Sequence, residues 1–343
     1  MKLFFAALLF LIVSINDISY AQKVVDRVKF FQDTSVVNAT LTFNIKKVLA
    51  NKAKEGVIFP AMFSCRLDDT SKIDNPVSIT VRGHFRRGYC YLPPLWLTFN
   101  DDKDAAFHKL KTLKLVSSCM ATRSDDQNLL KEFMIYKIYN MITDKSFRVR
   151  LLNLSYQDSS GKKKTITQHA FLMEDIKQVA KRNDCEVWKG KKVGTEATDR
   201  RQMTIVAIFE YMIANTDWSV PVNHNIKLLH SKSDSLSRPC VVPYDFDSSG
   251  FVNTTYAAPD ERLGISSVRE RLYRGFPRTM EELKYALGIY NEQKANIYAA
   301  INNFNLFTSA SKKEMTDYLD AFYRAINDPQ DIKATFITGA RRQ

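Results

Sequence analysis

The first half of the chain alternates apolar and polar positions in short runs. VVNATLTFNIKKVL, from Val36 to Leu49, does so, and VIFPAMFSCRL, VSITVRGHF, LWLTF and LKTLKLVSS follow it. A period of two with β-branched and aromatic residues predicts strands with one buried face. Asp, Asn, Pro and Gly turns separate these runs, and no strong helical pattern interrupts them. An antiparallel, meander-like sheet is therefore expected. Ser124 with Gln127 then forms a capping box, and Leu130, Met134, Ile138 and Met141 make an apolar stripe at helical spacing. FRVRLLNLSYQ, a GKKK turn and TITQHAFLME read as a hairpin that ends at Glu174-Asp175. A charged segment from Lys177 to Thr198 follows and is expected to be mobile.

From Asp199 the pattern changes. RQMTIVAIFEYMIAN is apolar on nearly every face, as in a buried helix. Three more helices are predicted. One covers SVRERLY. The second runs from Thr279, with Glu282 completing a capping box, towards Phe304. The third runs from Ser311, with Glu314, towards Ile326. The fold class read from this order is α+β. No internal repeat or low-complexity linker divides the chain.

The amino terminus changes the compartment. Lys2 precedes an apolar core from Leu3 to Val13, and Ser19-Tyr20-Ala21 suits cleavage. That is the pattern of a secretory signal peptide over residues 1–21, and it predicts an exported protein with no membrane span after cleavage. An exported chain can oxidise cysteines. Cys65, Cys90, Cys119, Cys185 and Cys240 allow up to two disulfides, with the pairing open. There is no CxxC and no HExxH, so zinc is not expected. The net charge of +13 is concentrated in clusters such as Arg82/Arg86/Arg87, Lys162–Lys164, Lys181/Arg182 and Arg341/Arg342. A basic surface suits an anionic ligand.

Candidate chemistry lies between Ile213 and Gly250. Asp217 follows a buried helix, where the negative helix end disfavours a carboxylate unless a cation offsets it. Taken alone it reads as an ordinary turn Asp. Asn225 lies eight residues beyond Asp217 and Asn223 lies six beyond. Either amide could serve as an oxygen ligand. Asp245 and Asp247 flank Phe246 after VVPY, and two carboxylates at that spacing point the same way on a strand. They repel unless a divalent cation such as magnesium or manganese sits between them. Lys114, on the strand LKTLKLV, is the candidate cation for a nucleotide's phosphates, and Glu132 on the next helix is its candidate partner. There is no GxGxxG loop. VRGHFRR, from Val81 to Arg87, offers arginines in its place.

The order VRGHFRR, LKLV, the Glu132 helix, AFLMEDI, NTDW, HN and PYDFD resembles the CotH-type spore-coat kinase family, and SFRVRLLNL, PYDFDSSGFVN and SVRERLYRG resemble a group of exported bacterial proteins related to it. The resemblance covers roughly residues 35–275. Its most specific part is the pair NTDW and YDFD, in order and about thirty residues apart. It implies a two-lobed protein-kinase-like fold. An antiparallel sheet with one helix would form an N-lobe over residues 22–175, and a mainly helical C-lobe would cover residues 176–330, with a tail over residues 331–343. It implies Asp217 as catalytic base. Asn225, Asp245 and Asp247 would be metal ligands, and Lys114, Glu132 and Arg82 would lie on the phosphate side. Glu174 would lie near the adenine. The implied cofactors are ATP and Mg²⁺ or Mn²⁺, with a protein or glycan hydroxyl as acceptor and no nucleic-acid partner. Two rivals stand beside this reading: a catalytically silent module binding a cell-surface or anionic polymer, and an extracellular hydrolase using paired acids.

Overall fold

The computed structural model describes residues 27–67, 72–100 and 106–341, so the segment read as a signal peptide lies outside the described residues. A short helix α1 (Arg27–Gln32) leads into strand β1 (Val37–Phe43). Helix α2 (Ile45–Ala50) takes the second half of the first alternating run, capped by the Asn44 side chain on the Lys47 N–H at 2.8 Å. Strands β2 (Ile58–Arg66) and β3 (Lys72–Val81), helix α3 (Phe85–Tyr89), strands β4 (Leu95–Phe99) and β5 (Thr112–Ser117) and helix α4 (Arg123–Ile142) follow. The hairpin is β6 (Val149–Asp158) and β7 (Ile166–Met173).

These seven strands do not form the expected open antiparallel sheet. They close into a barrel in the order β1-β2-β3-β4-β5-β7-β6, and β6 pairs with β1 in parallel, Val37 opposite Leu152. Closure follows from the edges. Without β6, β1 would present a row of unpaired backbone groups, and a barrel removes that edge. The barrel interior is filled by the alternate apolar positions, with Phe63 edge-on to Phe99 at 5.7 Å and to Phe107 at 5.9 Å.

The expected pair of lobes is also corrected. Helix α4 packs on β6 and β7 and on a long helix of the second half. Leu130, Ile135 and Tyr139 of α4 share one continuous core with Phe171 of the barrel wall and with the helices that follow. The helix assigned to a first lobe is thus the centre of the helical half, and no clear two-lobed division results.

That half contains α5 (Ile176–Arg182), α6 (Arg200–Met212), α7 (Met280–Asn302), α8 (Ser309–Ala325) and α9 (Pro329–Lys333). A small sheet of β8 (Cys185–Val187), β9 (Ile226–Ser231) and β10 (Cys240–Pro243) lies beside them in the order β10-β9-β8. The segment expected to be mobile is therefore ordered by α5, which Asp175 caps, and by β8. Helix α7 starts with the predicted box. Thr279 Oγ1 accepts from the Glu282 N–H at 3.2 Å, and Glu282 accepts from the Thr279 N–H at 2.8 Å. Thr308, not Ser311, caps α8. SVRERLY is not a helix. Arg269, Arg271 and Arg274 turn inward and donate to the carbonyls of Gly250, Met212 and Trp218, which a solvent-facing helix would leave unmet.

Candidate active site

The two acidic segments meet because their backbones are stitched together. Gly250 N–H donates to Ala214 O at 3.1 Å and Phe251 N–H to Ile213 O at 3.0 Å. A Cβ on Gly250 would lie 2.1 Å from Val268 O, so glycine is what lets the Val268 backbone pack against this turn. Ala214, Asn223, Asn225 and Asp245 all hold positive φ, with Asp245 at 68°. Such conformations cost energy in non-glycine residues and cluster at functional sites. Strand β10 ends at Pro243, so Asp245 and Asp247 are not strand neighbours as expected. The left-handed turn at Asp245, fixed by its N–H on the Tyr136 hydroxyl at 2.9 Å, aims the pair instead.

Asp245, Asp247 and Glu132 form one charged cluster with Lys114, Arg82 and Arg86, each interacting electrostatically with several of the others, and Arg86, Glu132 and Asp247 share one small cavity. Burial acts against the Asp245 charge, but Lys114, Arg82 and Arg86 outweigh it and hold the carboxyl below its usual range. Burial raises Asp247 above its ordinary value, against the pull of Arg86. Arg86 Nη1 lies 3.3 Å from Asp247 Oδ2, and the Tyr256 hydroxyl donates to the same oxygen at 2.8 Å. Glu132 is buried in α4 and pushed well up by that burial and by Asp247. Lys114 makes no direct ion pair with it among the described residues. Instead its ammonium lies 4.1 Å from the centre of the Tyr244 ring, and burial lowers its pKa to about 8.

Asp217 stands beside this cleft with its side chain 48% exposed. His224 Nε2 meets Oδ1 at 2.7 Å and Asn225 Nδ2 donates to Oδ2 at 3.1 Å, so both carboxylate oxygens are oriented. The Asp217 N–H donates to Asn215 Oδ1 at 3.1 Å, and Asn215 Nδ2 donates to buried Glu210 at 2.9 Å. Asn225 is thus placed beside Asp217, whereas Asn223 forms only the turn with Val220. Glu174, at the end of β7, is buried, and its carboxylate is occupied by the Arg148 N–H at 3.1 Å and by Arg182 at 3.3 Å.

Three buried atoms in the cleft lack hydrogen-bond partners: Glu132 Oε1, Arg82 Nε and Arg86 Nε. Buried polar groups are normally satisfied, so these atoms have hydrogen-bonding capacity that the protein does not use. The carboxylates of Asp245 and Asp247 beside these atoms are hard oxygen donors, which suit magnesium or manganese. Among the described residues, no three His, Cys, Asp or Glu side chains converge closely enough to hold a metal ion unaided. One or two carboxylates completed by phosphate oxygens and water is a usual magnesium arrangement, so the residues present fit.

Sequence reasoning offered the arginines of VRGHFRR, Arg86 among them, for phosphate, but missed the pairing of Arg86 with Asp247, and it missed Tyr256 and Glu210. Tyr256 and Glu210 carried no usable signal. The cleft is also braced by a disulfide between Cys90, just after α3, and Cys119, just after β5. Cys65, Cys185 and Cys240 are free.

No protein-family model matches the chain, and no curated protein matches it. Among solved structures the chain is similar to the proinflammatory kinase CtkA of Helicobacter pylori. The TM-score is 0.38 at 12% identity, over 71% of this chain and 92% of that one.

Proposed function

We propose that the protein is an exported, divalent-metal-dependent phosphotransferase that moves the γ-phosphoryl group of ATP to a protein or glycan hydroxyl, of the kind the CotH-type resemblance implies. One observation carries this reading. Lys114, Arg82 and Arg86 face Glu132, Asp245 and Asp247 in one buried cleft, beside an oriented Asp217. Phosphoryl transfer needs positioning and charge neutralisation more than covalent participation by the protein, and this set can supply both.

Lys114, Arg82 and Arg86 would bind the phosphate oxygens. Asp245, Asp247 and Asn225 would hold magnesium or manganese, which supplies further positive charge on those oxygens. Asp217, steadied by His224 and Asn225, would accept the acceptor's hydroxyl proton as its oxygen bonds to the γ-phosphorus. The bond to the bridging oxygen breaks and ADP leaves. The disulfide supports an oxidising compartment. No helix among the described residues is long and apolar enough to cross a membrane.

The test uses water as acceptor. Asp217→Asn is expected to cut ADP release from ATP with Mg²⁺ by roughly a hundredfold. Calorimetric ATP affinity should stay unchanged, because Asp217 is not a phosphate ligand. Equal turnover in the two proteins would overturn the assignment. The rival reading, a silent binding module, is favoured by one observation. The cavity that Arg86 lines with Glu132, Asp247 and Tyr256 holds only about 10 Å³, at most room for one water.

A further inference from the structure

Arg86 lies where a metal ligand should be free. Its Nη1 is 3.3 Å from Asp247 Oδ2, and its Nη2 donates to Ser117 O at 2.7 Å. It reaches this position from α3, whose hold on the cleft is unusually firm. Cys90 directly follows α3 and is bonded to Cys119, two residues past Ser117. Tyr91 N–H donates to Cys119 O at 3.1 Å, and Lys52 reaches Gly88 O at 3.2 Å. On the outer side Phe85 and Tyr89 stack at 5.3 Å, and Tyr89 meets Tyr256 at 5.6 Å. Tyr256 in turn donates to Asp247.

A guanidinium and a divalent ion cannot share one carboxylate oxygen in a buried site without strong repulsion. Arg86 Nε is buried and unpartnered, as is Glu132 Oε1 across the cleft. The guanidinium therefore has donor capacity left that a phosphate would satisfy, and Asp247 does not use it. The tether at Cys90 limits how far the side chain can retreat.

We infer that Arg86 is a resident cation on the metal-binding carboxylate, so that the site takes a divalent ion only together with an anion that draws Arg86 off Asp247. This rests on the phosphotransferase reading and deepens it. Arg86 determines the specificity of the site: it excludes the free metal ion and admits the metal–nucleotide complex. Metal and nucleotide are then coupled through one side chain, and the coupling is reciprocal.

The test is Mn²⁺ binding by the full chain, followed by electron paramagnetic resonance of the free ion, with and without a non-hydrolysable ATP analogue. Wild-type protein is expected to bind Mn²⁺ weakly alone and much more tightly with the analogue. Arg86→Gln is expected to bind Mn²⁺ alone roughly tenfold or more tightly than wild type, with the gain from the analogue largely lost. Arg86→Met, which keeps the buried stem, replaces the Gln variant if that one melts early. Arg87→Gln, whose partner Glu55 is exposed, serves as control and should match wild type. Equal affinity of wild type and the Arg86 variants for free Mn²⁺, with the analogue still promoting metal binding in both, would overturn the inference alone. No Mn²⁺ binding by wild type even with the analogue would overturn the phosphotransferase reading as well.

Discussion

Glu210 is the residue whose chemistry can be read most directly. It is buried in α6, one oxygen accepts from Asn215, and the other has no partner. Burial pushes its pKa from 4.5 to about 8. Between those values the folded chain holds a proton that the unfolded chain releases, so stability falls as pH rises through that window. Glu210→Gln keeps the acceptor oxygen and removes the titration. Urea unfolding should show the variant more stable than wild type at pH 8, on the order of a few kcal/mol, with little difference near pH 4. A wild-type pH slope retained in the variant would contradict this. Asp217, Asn225, Asp245 and Asp247 were legible in the sequence because a short segment carries all four at fixed spacing. The order of strand and helix proposed Lys114 and Glu132 as a pair; the structure brings them into one charged cluster without a direct ion pair among the described residues. Arg86 was legible only as one of several arginines in VRGHFRR; its contact with Asp247, 161 residues later, was not.

At the scale of elements, period-two alternation located the strands, and the capping box located the start of α7. Closure of the barrel was hidden, since it depends on which strand covers the free edge of β1. One sign was present. Val149 to Leu152 of β6 are all buried, as suits a strand covered on both faces, and the run VRLL reads that way apart from its arginine. Arg150 explains itself only in three dimensions. It is almost wholly buried and binds Asp33 at 3.0 Å, Ser35 at 2.9 Å and Phe30 O at 3.3 Å, fastening α1 to the barrel. Arg150→Ala is expected to lose about 2–3 kcal/mol of stability in chemical denaturation, because charge-assisted hydrogen bonds are deleted while half-exposed Asp33 is resolvated. A loss below about 1 kcal/mol would mean the pair is no better than a surface one. SVRERLY was misread for the same reason as Arg150. Its arginines serve distant carbonyls, which local pattern does not record.

At the scale of the molecule, a closed barrel and a helical half meet along α4, and the cleft lies where β3, β5, α4 and the segment after β10 converge. The chain carries a net charge of +13, and in the cleft Lys114, Arg82 and Arg86 stand among Glu132, Asp245 and Asp247, with burial pushing Glu132 well above the usual carboxyl range. Basic composition pointed to an anionic ligand, not to acidic residues set among the cations. The measurement that tests the central claim most directly is thermal melting of the protein with a non-hydrolysable ATP analogue, with and without Mg²⁺ or Mn²⁺, repeated on Asp245→Ala. A ligand at a hundred times its Kd adds about 2.7 kcal/mol to the folded state, which raises the melting temperature by several degrees. The account predicts that rise only when nucleotide and metal are both present, and its loss in Asp245→Ala. No rise with the pair, or an equal rise in the variant, would contradict it.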